Sequence, residues 1–150
     1  MTIPIVTHPP QLLEIPLHTV FEDGLQEWRL HGQRHRLDGP AVIRTDGTQE
    51  WFIDGKIHRL DGPAIIFANG RQEWYAKGKL HRSNGPAVIY ADGSQEWWVV
   101  GKLHRLDGPA VIYVDNTEEW WVDDCDITHL SAHQKLVHIR AYQQAMADVS

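Results

Sequence analysis

Apolar and polar positions recur along this chain with a period of 23 residues that does not slip. The clearest copy is "PAVIYADGSQEWWVVGK" at 86–102. "AVIY" is a β-rich run, "ADGS" a turn, "QEWWV" a second run with alternating character, and "VGK" a second turn. Asp-Gly and Asn-Gly between such runs are hairpin signals, because tight turns need positive φ. "KLHR" then leads into "LDGP", where Pro40, Pro63, Pro86 and Pro109 should mark a bulge or a strand start, since proline cannot donate to a sheet ladder. A fixed period of this size means supersecondary units stacked on their neighbours.

The punctuation repeats with the strands. Turn glycines stand at 24, 47, 70 and 93, with Asn116 in the fifth place, and Glu-Trp stands at 27–28, 50–51, 73–74, 96–97 and 119–120. The pattern resembles the MORN repeat family, on the strength of the "DG" turn, an aromatic strand with Trp and a "GK" turn in "DGTQEWFIDGK" (46–56) and "DGSQEWWVVGK" (92–102). It departs from that family in having Gln-Glu before the Trp and "HRLDGP" after the second turn. The resemblance implies a mostly β fold: an elongated, twisted antiparallel sheet of about five stacked hairpins, serving as an interaction module without catalytic residues.

We therefore divide the chain into an extended, proline-bearing segment (1–20, with Pro4, Pro9, Pro10 and Pro16), a MORN-like array (21–127) and a C-terminal helix (128–150). Ser131 and Gln134 form a candidate capping box. Leu130, Leu136, Val137, Ile139, Tyr142 and Met146 make a broad apolar stripe, expected to cap the last hairpin.

The strand alternation sorts the aromatic residues. Trp28, Trp51, Trp74, Trp97 and Trp120 form one column, read as core and joined by Ile43, Ile66, Ile89 and Ile112. The opposite face carries Arg29, Phe52, Tyr75, Trp98 and Trp121, with Arg44, Phe67, Tyr90 and Tyr113 beside them, and Glu50, Glu73, Glu96 and Glu119 between. This face is either a second core or a binding groove, because Tyr and Trp dominate binding hot spots. The candidate binding residues are Phe52, Phe67, Tyr75, Tyr90, Trp98, Tyr113 and Trp121, with Glu96 and Glu119.

"HRLDGPA" at 35–41, 58–64 and 104–110, with "HRSNGPA" at 81–87, looks like chemistry written four times. Equivalent residues of successive hairpins should lie two strands apart, ~9.5 Å, whereas two ligands of one metal ion lie within ~4 Å of each other. Four near-identical environments also cannot hold an acid apart from a base. No nucleophile recurs beside them. The motif therefore reads as architecture: Asp accepting turn hydrogen bonds, Gly with an unusual φ, Arg pairing with an acid of the neighbouring rung, and His donating to a carbonyl. No enzyme, metal or cofactor is expected.

Charge narrows the function further. The net charge is −6, but residues 24–113 balance at +2, too little and too scattered for nucleic-acid backbone binding. Asp115, Glu118, Glu119, Asp123, Asp124 and Asp126 fall within 115–126 with no base among them, either a solvated end or a docking surface for a basic protein. The single Cys125 excludes an intramolecular disulfide. "MTIPIVTHPP" lacks the character of a secretory signal, and no run suits a membrane span, so a cytoplasmic protein is expected. The leading expectation is a non-catalytic binder, inhibitor or scaffold. Short DGPA-type repeat proteins resemble the accessory proteins of bacteria and their phages, which implies blocking a host or rival complex. The alternative is sequestration of a nucleotide or sugar on the aromatic face. A homo-oligomer stays open.

Overall fold

The structure, a computed structural model, describes residues 15–149. The segment holding Pro4, Pro9 and Pro10 lies outside the described residues. The chain opens with strand β1 (Leu17–Val20), which pairs antiparallel with β2 (Gln26–Leu30), and β2 pairs in turn with β3 (Gln33–Arg34). The described part of the segment expected to be extended thus includes strand β1, laid along the first repeat. The next repeat supplies β4 (Val42–Ile43), β5 (Gln49–Glu50), β6 (Phe52–Ile53) and β7 (Lys56–Ile57), and the same four pieces recur three times more, ending at Cys125–Asp126. The result is a stack of antiparallel hairpins in chain order, followed by one helix.

Each full rung holds two hairpins rather than one. β4 and β5 belong to a continuous sheet that runs through every rung, while β6 and β7 form a separate two-stranded ladder. Trp51 divides them. Its N–H donates to Ala64 of the next rung at 2.8 Å, and its carbonyl accepts from His58 at 3.0 Å. Trp51 therefore leaves the hairpin ladder without orphaning its backbone groups. The β6–β7 turn has positive φ at both central residues, Asp54 (49°) and Gly55 (73°), the geometry that matches strand twist in a two-residue loop.

The register places Glu27, Val42, Glu50, Ile65, Glu73, Val88, Glu96, Val111 and Glu119 directly opposite one another across the sheet. Cross-strand partners share a face, so a carboxylate row alternates with an aliphatic one. This is the more buried face: Ala41, Ala64, Ala87 and Ala110 are fully covered beside it, and Glu27, Glu50 and Glu73 are buried with it. Contrary to the expectation of a core, every member of the Trp column is only half-buried, as are Ile43, Ile66, Ile89 and Ile112.

Helix α1 (Ala132–Ala147) starts with the expected capping box between Ser131 and Gln134. Ile139 packs with Val122 and Ile127, against Leu106, Trp120, Leu130 and Tyr142. Only part of the predicted stripe takes part, because Leu136, Val137 and Met146 remain exposed. The helix covers the last rung's loop leucine, Leu106. Its counterparts Leu37 and Leu60 stand open to solvent.

Candidate binding face

The repeated "HRxDGP" loop resolves into two devices. Arg59 folds back within its own rung. Its guanidinium lies 4.2 Å from the Trp51 ring centroid, its Nε donates to Asp61 at 2.8 Å and its Nη1 to the Pro63 carbonyl at 3.2 Å. Arg36, Arg82 and Arg105 do the same over Trp28, Trp74 and Trp97 at 4.0–4.1 Å. The arginine therefore pairs with its own loop, not with the neighbouring rung. Gly62 does not have positive φ, contrary to the turn expectation. Its role is room: an added Cβ would stand 2.9 Å from Arg59 Cζ, so glycine lets the guanidinium lie flat between the ring and the backbone. The four Asp or Asn positions accept from the arginine, and the Arg59 guanidinium holds the Asp61 carboxyl below its usual value.

Histidine is the second device, with its polarity reversed from expectation. Nδ1 of His58 accepts the Lys77 N–H at 3.1 Å, and His81 and His104 accept from Val100 and Asp123 at 3.3 and 3.1 Å. Each imidazole ties a loop to the second hairpin of the following rung. Burial pushes His104 below its ordinary value. Open grooves of about 470 and 510 Å³ lie between successive loops, beside Leu60. Among the described residues no three His, Cys, Asp or Glu converge as metal ligands, and no helix is long and apolar enough to cross a membrane.

The carboxylate row changes along the stack. Glu27 takes Arg29 at 2.8 Å and Arg34 at 2.6 Å; burial pushes its carboxyl up, but the two arginines outweigh this and hold it below the usual value. Glu50 takes Arg44. Glu73 takes Arg71 and the Tyr75 hydroxyl, the latter at 3.0 Å. Arg71 lies 5.3 Å from the Phe67 centroid and 4.7 Å from that of Tyr90. Beyond this point the donors become neutral. Glu96 accepts from Tyr90 at 2.8 Å and Trp98 Nε1 at 2.7 Å, and Glu119 from Tyr113 and Trp121 Nε1, both at 2.9 Å. Among the described residues neither has a Lys or Arg partner.

Of the sequence-selected binding residues, Phe52 is 7% exposed and belongs to the core. Phe67, Tyr75, Tyr90, Trp98 and Trp121 are half-buried beside the carboxylates, with Tyr113 the most open at 40%. Burial pushes the Tyr75 and Tyr90 phenols up to about 12, assisted by Glu73 and Glu96, so both stay hydrogen-bond donors at neutral pH. The hydrogen bond to Glu119 raises Tyr113 likewise. Arg71 is not among the residues that the repeat pattern selects; its one signal in the sequence is that it breaks a column otherwise of Thr48, Ser94 and Thr117. No family model matches the chain, and no curated protein matches it.

Proposed function

We propose that this chain is a non-catalytic protein-interaction module of MORN-like type, acting in the cytoplasm as a binder, inhibitor or scaffold, in the manner of a bacterial or phage accessory protein. It docks a basic protein partner on the aromatic and carboxylate face of its last two rungs. The observation that carries this reading is the change of donors along the carboxylate row. Glu27, Glu50 and Glu73 pair with arginines of the chain itself, whereas Glu96 and Glu119 take Tyr and Trp side chains as donors and have no Lys or Arg partner among the described residues. Charge in a partly desolvated aromatic setting attracts and orients a cationic partner. The acidic run at 115–126 extends that field over the same end of the array.

The test compares the full-length protein with Trp121→Ala and Glu119→Gln, each confirmed to melt cooperatively. Immobilised wild type should retain a basic protein from lysate of the cells that make it, and both variants should release that same protein. Identical retention by all three would overturn the reading. So would a bound nucleotide or sugar in native mass spectra that the variants lose.

A further inference from the structure

Arg71 shows what fits beside a carboxylate of this row. Its guanidinium pairs with Glu73 and lies between the rings of Phe67 and Tyr90. One repeat later the register supplies Tyr90, Tyr113 and Glu96 in the same three places, but Ser94 stands where the arginine would be. The arginine is absent and one wall has changed: Tyr90 stands where Phe67 did, and its hydroxyl donates to Glu96 Oε1, the oxygen equivalent to the one that Arg71 takes on Glu73. The Ser94 hydroxyl is committed elsewhere, accepting the Val114 N–H at 3.1 Å.

We infer that the slot formed by Tyr90, Tyr113 and Glu96 receives the guanidinium of an arginine side chain from a basic segment of a protein partner. This rests on the interaction-module reading and adds the recognised side chain to it. Glu96 already accepts one neutral donor on each oxygen, Tyr90 on Oε1 and Trp98 on Oε2. A carboxylate has about four acceptor sites, so each oxygen keeps one more. A planar fork of N–H groups can use both, and its face suits the flanking rings; a lysine ammonium offers neither the fork nor the plane. Asp115, in the turn that follows Tyr113, favours further basic residues around the arginine.

The experiment uses the full chain labelled with ¹⁵N, read through the Trp98 indole N–H, at about 0.15 M salt so that general charge attraction is screened. The probes are acetylated, amidated Lys-Arg-Lys and Lys-Lys-Lys, which carry equal charge, and N-acetyl-arginine amide. Lys-Arg-Lys should bind about tenfold more tightly than Lys-Lys-Lys, as expected for a bidentate, stacked contact. The single amino acid should shift the same resonance only at higher concentration. Glu96→Gln should abolish the preference for arginine. Ser94→Arg, which supplies the guanidinium from within the chain as Arg71 does, should abolish peptide binding; where it fails to fold, Glu96→Gln carries the test. Equal binding of the two peptides, or no shift with either, would overturn the arginine slot. That outcome is distinct from failure of the module itself, which would appear as no partner lost by the Glu119 and Trp121 variants. Binding of N-acetyl-arginine amide as tightly as the peptide would overturn the assignment to a protein segment.

Discussion

Two polar constructions run the length of the array, and they behave differently. The arginine laid on tryptophan is copied in four rungs within 4.0–4.2 Å, each time with the same loop carbonyl as acceptor. At the fifth rung Lys135 of the helix takes the place over Trp120, at 4.9 Å. The carboxylate row keeps its glutamates but replaces their partners, from two arginines at Glu27 to two aromatic donors at Glu119. A stacked array needs the first kind of sameness, because each rung must present its neighbour with an identical surface. The second row is free to vary, since a carboxylate is satisfied equally well by charged or neutral donors. What differs is the charge left over. Uniform rungs make the scaffold, and a graded row makes one end unlike the other.

The largest effect should come from removing the uniform element. Trp74→Ala deletes a ring that carries Arg82 on one face and sits mid-array, and should cost about 3 kcal/mol. Chemical denaturation measures it. A cost no greater than that of Trp98→Ala would erase the distinction between the two constructions. A double-mutant cycle with Arg82→Ala isolates the stacking, expected at ~1 kcal/mol for a partly solvated pair.

The graded row is tested by one substitution at two places. Glu73→Gln leaves Arg71 without its counter-ion beside a buried position, and should cost about 2 kcal/mol. Glu96→Gln removes a charge that faces only neutral donors, and should cost well under ~1 kcal/mol, since an amide oxygen still accepts from Tyr90 or Trp98. Equal losses would mean that the arginines in the first rungs do nothing for the carboxylates that Tyr and Trp do not.

Gly62→Ala probes how the uniform unit is built. The new Cβ would press on Arg59 Cζ at 2.9 Å, so the guanidinium should leave Trp51 at a cost of about 1 kcal/mol. In an Arg59→Ala background the same change should cost almost nothing. Equal cost in both backgrounds would point to backbone strain at Gly62 instead. Val100 offers the opposite sign. It is β-branched and exposed with φ of 53° in the turn that Asp54-Gly55 occupies elsewhere. Val100→Asn should stabilise by ~1 kcal/mol, because Asn tolerates the left-handed region far better. An unchanged midpoint would show that the rung absorbs the strain.

Much of this was legible in the sequence. The 23-residue period, the Asp-Gly turns and the Ser131–Gln134 box gave stacked hairpins and a terminal helix, because those features act over a few residues. The strand alternation also placed Tyr90, Trp98, Tyr113 and Trp121 with Glu96 and Glu119. The roles inside "HRLDGPA" were not legible. Whether Gly62 supplies a turn or a space depends on where Arg59 lies, and that is set by Trp51, eight residues earlier. Whether His58 donates or accepts depends on Lys77, 19 residues later in the next rung. The burial of Phe52 was ambiguous for the same reason: one repeat does not reveal which face its neighbours close.

The smallest effect concerns acid, and it belongs to the uniform side of the comparison. His104 Nδ1 accepts the Asp123 N–H, so protonation there removes the acceptor lone pair. Burial lowers the His104 pKa from 6.5; nearby Lys102 acts in the same direction and Asp123 opposes it. A base whose folded-state pKa lies below its unfolded value binds protons more readily when unfolded. Its contribution to stability is therefore complete above about pH 6.5 and is lost as the pH falls toward the folded value. The carboxyls of Asp38, Asp61 and Asp107, held low by their arginines, act in the same direction but titrate from 3.8 downward. Melting between pH 8 and pH 5.5 thus sets these carboxyls aside, and comparison with a His104 variant separates that histidine from the others of the chain. Wild type should lose melting temperature across that range, and His104→Gln, whose amide oxygen can accept the same N–H without titrating, should lose less. An equal loss in both proteins would remove His104 as the acid-sensitive tie between rungs.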